Sequence, residues 1–202
     1  MTEDEARAWF RARYVSRETA VVDFAALVAE EQARQNLVSS ATLPLIWSRH
    51  IVDSAQLLDH VPAEGLWADI GSGAGFPGMI VALLTDRPVA LIEPRRKRAE
   101  FLAYAAEALG LADRVTVHAA KAEALALEAA VVSARAVASL PDLLALSTPL
   151  STAKTRFVFP KGRSAREEVA AARRAWHGVF HVEPSITDPE SLIILARGVA
   201  RR

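Results

Sequence analysis

The run Asp69-Ile70-Gly71-Ser72-Gly73-Ala74-Gly75-Phe76-Pro77-Gly78 constrains this chain more than any other stretch of it. The apolar residues before it, Leu66-Trp67-Ala68, read as the end of a buried strand. Its glycines let the backbone turn sharply and approach a ligand closely, because no Cβ stands in the way. Pro77 suits the first turn of a following helix, where a missing N–H costs nothing. Strand, glycine loop and helix together place a polar or anionic group at a helix N-terminus.

Two ligands fit such a loop. Gly73-Ala74-Gly75-Phe76-Pro77-Gly78 matches G-x-G-x-x-G, the dinucleotide fingerprint, which is a weak signal alone. Read from Asp69, the same residues match D-x-G-x-G-x-G, the first motif of S-adenosylmethionine methyltransferases. An acid at the strand end is expected to point its charge at the site, which suits the cationic amine of a methionine moiety and repels a pyrophosphate. Glu93 ends a second apolar run, Val89-Ala90-Leu91-Ile92, where it can accept from both hydroxyls of a ribose, a need both cofactors share. S-adenosylmethionine is the favoured reading, with a dinucleotide or a ligand-free structural loop as the alternatives. A Cβ at Gly73 would then occupy cofactor space.

The 202 residues suffice for one substantial core, and a single domain over 1–202 is expected. Its parts are an N-terminal helical extension, 1–62, and a Rossmann-like cofactor-binding core, 63–202. No apolar run is long enough to cross a membrane, and the acidic start Met1-Thr2-Glu3-Asp4-Glu5 is not a secretory signal, so a cytoplasmic protein is expected. The absence of cysteine removes disulfides, cysteine-based zinc sites and any thiolate nucleophile, and with the last of these the methylation of pyrimidine C5 in RNA. No metal is expected. Net charge is zero, lower than is usual for a domain that grips bare nucleic acid. The positive charge is nevertheless clustered, in Arg95-Arg96-Lys97-Arg98, in Lys161, Arg163 and Arg166, and in Arg173-Arg174. The first two clusters follow strand ends, so a phosphate-contact reading of Arg95, Lys97, Arg98, Lys161 and Arg163 stands beside that of a solvated face.

Along the chain, Glu3–Tyr14 and Arg17–Gln35 read as helices, with Ser16 as an N-cap, and Leu43–His60 as a further helical region. Strands are expected at Leu66–Ile70, Val89–Glu93, Val115–His118, Val131–Ser133, Arg156–Phe159, Val179–Val182 and Leu192–Ala196. Helices are expected between the first six, at Pro77–Leu84, Arg95–Leu109, Glu123–Leu127, Leu140–Leu146 and Ala165–Trp176. Such alternation means a parallel sheet covered on both faces. The short link Pro184–Pro189 has no room for a helix, so the last two strands should pair antiparallel. In an open α/β sheet the ligand lies beyond the carboxyl ends of the strands. Here those ends are Asp69–Gly78, Glu93, Ala119–Glu123, Ala134-Arg135 and Pro160-Lys161-Gly162.

With these positions aligned, the chain resembles the RsmG (GidB) family of bacterial small-subunit ribosomal RNA guanine-N7 methyltransferases. The resemblance runs from about Asn36 to Gly162. It is carried by Asn36-Leu37, Arg49-His50-Ile51-Val52-Asp53-Ser54, the loop with its Phe76-Pro77-Gly78 ending, Lys97-Arg98 with Phe101-Leu102, Ala122-Glu123, Arg135-Ala136-Val137-Ala138 and Lys161-Gly162. It implies a class I methyltransferase fold, a seven-stranded α/β sheet, and places Gly71, Phe76, Ala122, Glu123 and Arg135 at the cofactor. It also implies 16S ribosomal RNA as partner, with guanine 527 as target, within the small subunit or an assembly intermediate. The chain departs from the family pattern at Lys121, where arginine is usual, at Ala129-Ala130, where an aspartate is usual, and at Glu31–Gln35, which lacks a tryptophan-asparagine pair.

His50 and Asp53 lie one helical turn apart and can meet on one face, as a structural or RNA-orienting pair. Two groups do not make a metal site. His60, His118, His177 and His181 are scattered, and the tryptophans at 9, 47, 67 and 176 read as core anchors. Arg135, just past the fourth strand, is the expected catalytic residue, able to bond the cofactor carboxylate or O6 of guanine. N7 of guanine carries a free lone pair, so attack needs no base, and proximity and in-line orientation can suffice. The chain has no Asp/Asn-Pro-Pro-Tyr motif of the kind used on exocyclic amines. A small-molecule methyltransferase with a helical lid and a non-catalytic binding module are the rival readings.

Overall fold

The computed structural model describes all 202 residues, Met1–Arg202. Seven strands form one sheet: β1 (Trp67–Ile70), β2 (Val89–Ile92), β3 (Val115–His118), β4 (Ala129–Ala134), β5 (Ser151–Lys161), β6 (Trp176–Pro184) and β7 (Leu192–Arg201). Their order is β3-β2-β1-β4-β5-β7-β6. The first five pair parallel, and β7 runs antiparallel to both of its neighbours. The order reverses direction beside β1 and β4, which is where such sheets open a crevice for a ligand.

β1 and β2 are buried at every position, as strands covered on both faces must be. Side chains alternate across the sheet. Trp67 and Leu91 enter one apolar cluster with Phe10, Phe24, Trp47 and Met79, while Ile70 and Ile92 enter a second with Leu140, Phe157, Phe159 and Trp176. Asp69 shares the face of Trp67 and is fully buried.

The first face is covered by α1 (Glu3–Tyr14), α2 (Glu18–Glu31), the irregular segment leading to α3 (Asp53–Ala55), and by α4 (Gly78–Leu84) and α5 (Arg96–Ala108). The second is covered by α6 (Leu140–Ser147) and α7 (Ala165–Ala172). A Thr2–Glu5 capping box starts α1, and acidic Glu3, Asp4 and Glu5 in its first turn complement the helix dipole. Arg87 is buried with its guanidinium donating to the carbonyls of Pro62, Glu64 and Gly65 at 2.8–2.9 Å, which clamps the turn entering β1.

Several expectations need correction. Ser16 does not cap α2; it lies in a 3₁₀ turn, and Arg17 precedes the helix with no side-chain cap. The stretch 43–60 is not one helix but a 3₁₀ turn, a π-helix over Trp47–Val52, α3 and a second 3₁₀ turn. The expected helix Glu123–Leu127 is a single 3₁₀ turn, Ala122–Ala124, because only a short link separates β3 from β4. Trp176 opens β6 rather than closing α7.

The loop after β1 folds tightly against α4. A Cβ at Gly78 would lie 2.3 Å from Leu91 Cδ2 and 2.9 Å from Asp69 Cβ, so only glycine lets α4 begin against the two strands. Gly78→Ala is therefore expected to destabilise the protein by roughly 1–3 kcal/mol in urea unfolding. Gly162→Ala, whose new Cβ meets nothing within 4 Å, should leave the midpoint within experimental error of the parent.

Candidate functional site

The site grows from the buried Asp69 carboxylate. Its Oδ1 accepts from Ser133 Oγ at 2.6 Å and its Oδ2 from the Gly78 amide at 3.2 Å, and Ser133 Oγ accepts from Trp67 Nε1 at 2.7 Å. Asp69 therefore ties β1, β4 and α4 together beneath the loop. The expectation that its charge faces a ligand is corrected: period-two alternation turns it to the core side with Trp67.

Above it, Gly71, Gly73 and Gly75 take positive φ. Glu93, also buried, accepts from the Gly73 amide at 2.9 Å and from the Arg95 amide at 2.8 Å, one on each carboxylate oxygen. Each oxygen keeps a further lone pair, the pair of acceptors that two vicinal hydroxyls require. A Cβ built on Gly73 finds its first neighbours only at 3.7 Å, Arg98 Nη1 and the Gly71 carbonyl. The glycine cradle beside a carboxylate with spare acceptors fits the ribose and amino-acid portions of S-adenosylmethionine.

A cavity of about 600 Å³ runs over this loop. Gly71, Ser72, Gly73, Ala74 and Phe76 form its floor, and Leu37, Val38, Thr42, Arg49, His50 and Asp53 one wall. Arg135, Pro160 to Gly162, Thr187, Ser191 and Leu192 form the opposite wall. Glu93, Ala122 and Glu123 lie outside this cavity; Ala122 is buried beside β3 and Glu123 is exposed.

The N-terminal extension meets the sheet at Arg135. Arg135 Nη2 donates to His50 Nδ1 at 2.8 Å, and Nη1 to the Arg49 carbonyl at 3.0 Å and to Asp53 Oδ2 at 3.3 Å. The guanidinium also lies 5.4 Å over the Phe76 ring, against which His50 packs at 4.9 Å. Ala136, directly after Arg135, has φ of 57°, an uncommon conformation for a residue with a side chain. The wall is secured from below by Glu3, which accepts from the amides of Trp47 and Ser48 and from Ser48 Oγ at 2.6–3.1 Å. The Ser54 hydroxyl donates to the His50 carbonyl at 2.6 Å, so the serine of the H-x-x-D-S block holds the helix rather than a ligand.

Sequence reasoning did not single out Thr42, Gln56, Thr187 or Gln32. Thr42 Oγ1 contacts His50 Nε2 at 3.0 Å. Asp53 Oδ1 accepts from Gln56 Nε2 and Thr187 Oγ1, both at 3.1 Å, and Arg49 pairs with Asp188, which fastens the β6–β7 link to the helical wall. Gln32 accepts from the Leu37 and Val38 amides and donates to the Val38 carbonyl, anchoring the chain where the tryptophan-asparagine pair is missing.

The basic residues separate into two groups. Lys161 bonds Glu168 at 2.7 Å and the Ala138 carbonyl at 2.6 Å, largely buried, so it braces the wall. Arg98 donates to the Asn36 carbonyl at 2.9 Å. Arg95 and Lys97 are exposed at the start of α5, and exposed Arg163 pairs with Glu190 at 3.3 Å.

Burial shifts the pKa of two groups in this region far from the ordinary value. Burial, then the charges of Arg135 and Arg49, lowers the His50 pKa from 6.5 to about 3. Burial raises that of Asp69 from 3.8 to about 6, against the hydrogen bonds from Ser133, Ser72 and Gly78. Folded His50 binds fewer protons than the unfolded chain between about pH 3 and 6.5, so its stability contribution is lost as pH falls through that window. Folded Asp69 binds more protons between 3.8 and about 6, so its contribution is lost as pH rises. Relative to the parent, Asp69→Asn should become more destabilised on acidification from pH 6.5 to 4.5, and His50→Asn less so. Each effect should change by up to about 1.4 kcal/mol per pH unit in denaturant unfolding. Parallel curves for parent and variants would contradict this assignment.

A family model described as GidB, rRNA small subunit methyltransferase G, matches residues 17–187. The chain is 48% identical to ribosomal RNA small subunit methyltransferase G of Rhizorhabdus wittichii, over all of this chain and 95% of that protein. It is also 48% identical to the protein of that name from Erythrobacter litoralis, over 99% of this chain and 98% of the other. Among solved structures it resembles a geranyl diphosphate methyltransferase in complex with GPP and sinefungin, with TM-score 0.58, 16% identity and coverage of 72% and 76% of the two chains. It also resembles M. jannaschii TYW2 in complex with AdoMet, with TM-score 0.59, 14% identity and coverage of 76% of each chain. At such identities the likeness is one of fold, the class I methyltransferase sheet.

Proposed function

Because the chain belongs to the GidB family, rRNA small subunit methyltransferase G, we propose that the cavity over the glycine loop is where a methyl group passes to N7 of a guanine in 16S ribosomal RNA. S-adenosylmethionine supplies that methyl group as an electrophile on its sulfonium. Glu93, with Gly71 and Gly73, receives the nucleoside and amino-acid portions of the cofactor. Ala122 and Glu123 border the adenine, and Phe76 shields the cofactor from water. Asp69 acts beneath them by holding the loop. The extension 1–62 and the core 63–202 work as one unit, since both contribute walls.

The observation that carries this reading is the state of the cavity's ionisable groups. His50 and Asp53 are held by Arg135, Lys161 by Glu168, Arg49 by Asp188 and Arg98 by the Asn36 carbonyl. None is free to take a proton from a nucleophile. N7 of guanine needs no proton removed, so a site with no free base suits it, and positioning supplies the catalysis. A guanidinium has five N–H groups, and the three bonds of Arg135 leave two for a carboxylate or for guanine O6. Arg98 lines the cavity, and Arg95 and Lys97 stand exposed beside it at the start of α5, where all three suit phosphates. The zero net charge favours RNA presented in a small subunit or assembly intermediate over free RNA.

N7-methylguanosine is cleaved by borohydride and aniline, so the product can be mapped by primer extension. Small subunits from a strain lacking the protein should gain one cleavage site in 16S RNA after treatment with enzyme and cofactor. Arg135→Lys should lose most turnover, since lysine cannot reproduce a planar fork, and Arg135→Ala essentially all. No new cleavage site would overturn the reaction; an unchanged site with Arg135→Ala would overturn the role of Arg135.

A further inference from the structure

The imidazole of His50 is placed unlike a base, a metal ligand or a packing residue. Its Nδ1 faces Arg135 Nη2 at 2.8 Å, and a guanidinium donates but never accepts, so Nδ1 carries the lone pair and Nε2 the proton. The Nε2 proton is directed at Thr42 Oγ1, 3.0 Å away. The ring lies against Phe76, and only 8% of the residue is exposed. Both nitrogens are thus committed, one to the sheet and one to the 37–42 wall. The π-helix over Trp47–Val52 makes this possible, because its wider turn brings the Arg49 carbonyl, the His50 ring and Asp53 onto one guanidinium.

We infer that His50 is a positioning residue for methyl transfer: as the Nε2–H tautomer it fixes the Arg135 guanidinium over the Phe76 ring of the cofactor loop, aiming the two remaining N–H groups into the cavity. The inference rests on the reading of Arg135 given above and adds the group that orients it. Of the three acceptors, the His50 nitrogen is the shortest contact and the only one on a rigid ring, so it sets the plane of the fork. Asp53, at 3.3 Å, supplies charge more than direction.

The test uses the full chain, labelled with ¹⁵N on histidine, at pH 7. Two-bond ring correlations should show His50 as the Nε2–H tautomer alone; the Nδ1–H tautomer or a charged ring would overturn the inference. This readout is taken on the parent protein and does not depend on how any variant folds. His50→Asn keeps an acceptor near the place of Nδ1, whereas His50→Leu fills the space without one. At saturating cofactor, His50→Leu should lower single-turnover methylation of small subunits about 10- to 100-fold. Cofactor affinity by calorimetry should change far less, and His50→Asn should recover most of the rate. Equal rates for His50→Asn and His50→Leu would overturn the inference. Failure here is distinct from failure of the Arg135 reading: an inactive Arg135→Ala beside a fully active His50→Leu removes only the positioning by His50.

Discussion

The carboxylate of Asp69, wholly buried and without a direct cationic partner, joins the elements on which the site depends. Through Ser133 it reaches β4, and through the Gly78 amide it fixes the start of α4. Ionising a buried acid is costly, and its pKa near 6 measures that cost. The hydrogen bonds around it offset part of the penalty and hold the loop between the two strands in one shape. Gly78 allows the contact because any Cβ there would collide with Leu91 and Asp69 itself. The cofactor loop is thus suspended from a polar knot inside an apolar core.

On that base the second joint, Arg135, links the sheet to the N-terminal extension. The arginine leaves β4 at the point where the strand order reverses and finds its acceptors on a segment 82 to 86 residues earlier in the chain. Glu3 holds that segment, and Gln56, Thr187 and Asp188 bind it to the β6–β7 link. This side of the cavity is therefore assembled from both ends of the chain. In the proposed reaction, a guanidinium so constrained would lose little freedom on engaging a ligand, so positioning could stand in for a free base.

Much of this was legible from local signals. The seven strands, their parallel start and antiparallel finish follow from apolar runs and the length of the last link, and the loop announces itself by its glycines. Asp69 was misjudged because a strand-end acid beside glycines looks ligand-facing; only its shared face with Trp67 shows otherwise. The π-helix left no trace in the 43–60 pattern, since its register is set by packing of Phe10 on Trp47 and by Glu3. Spacing puts His50 and Asp53 on one helical face, but the partner that both of them bond, Arg135, lies far away in sequence. Gln32 was invisible for another reason: an amide side chain anchors a turn only when the turn is already folded against it.

The proposed site holds one cofactor between Glu93 and the Arg135 junction. A crystal structure of the protein with S-adenosylhomocysteine tests it most directly. The ribose hydroxyls are expected on the Glu93 carboxylate, the amino-acid end along Gly71 and Gly73, and Arg135 still bonded to His50 and Asp53. Ribose held elsewhere, or Arg135 withdrawn from His50 in the bound state, would contradict it.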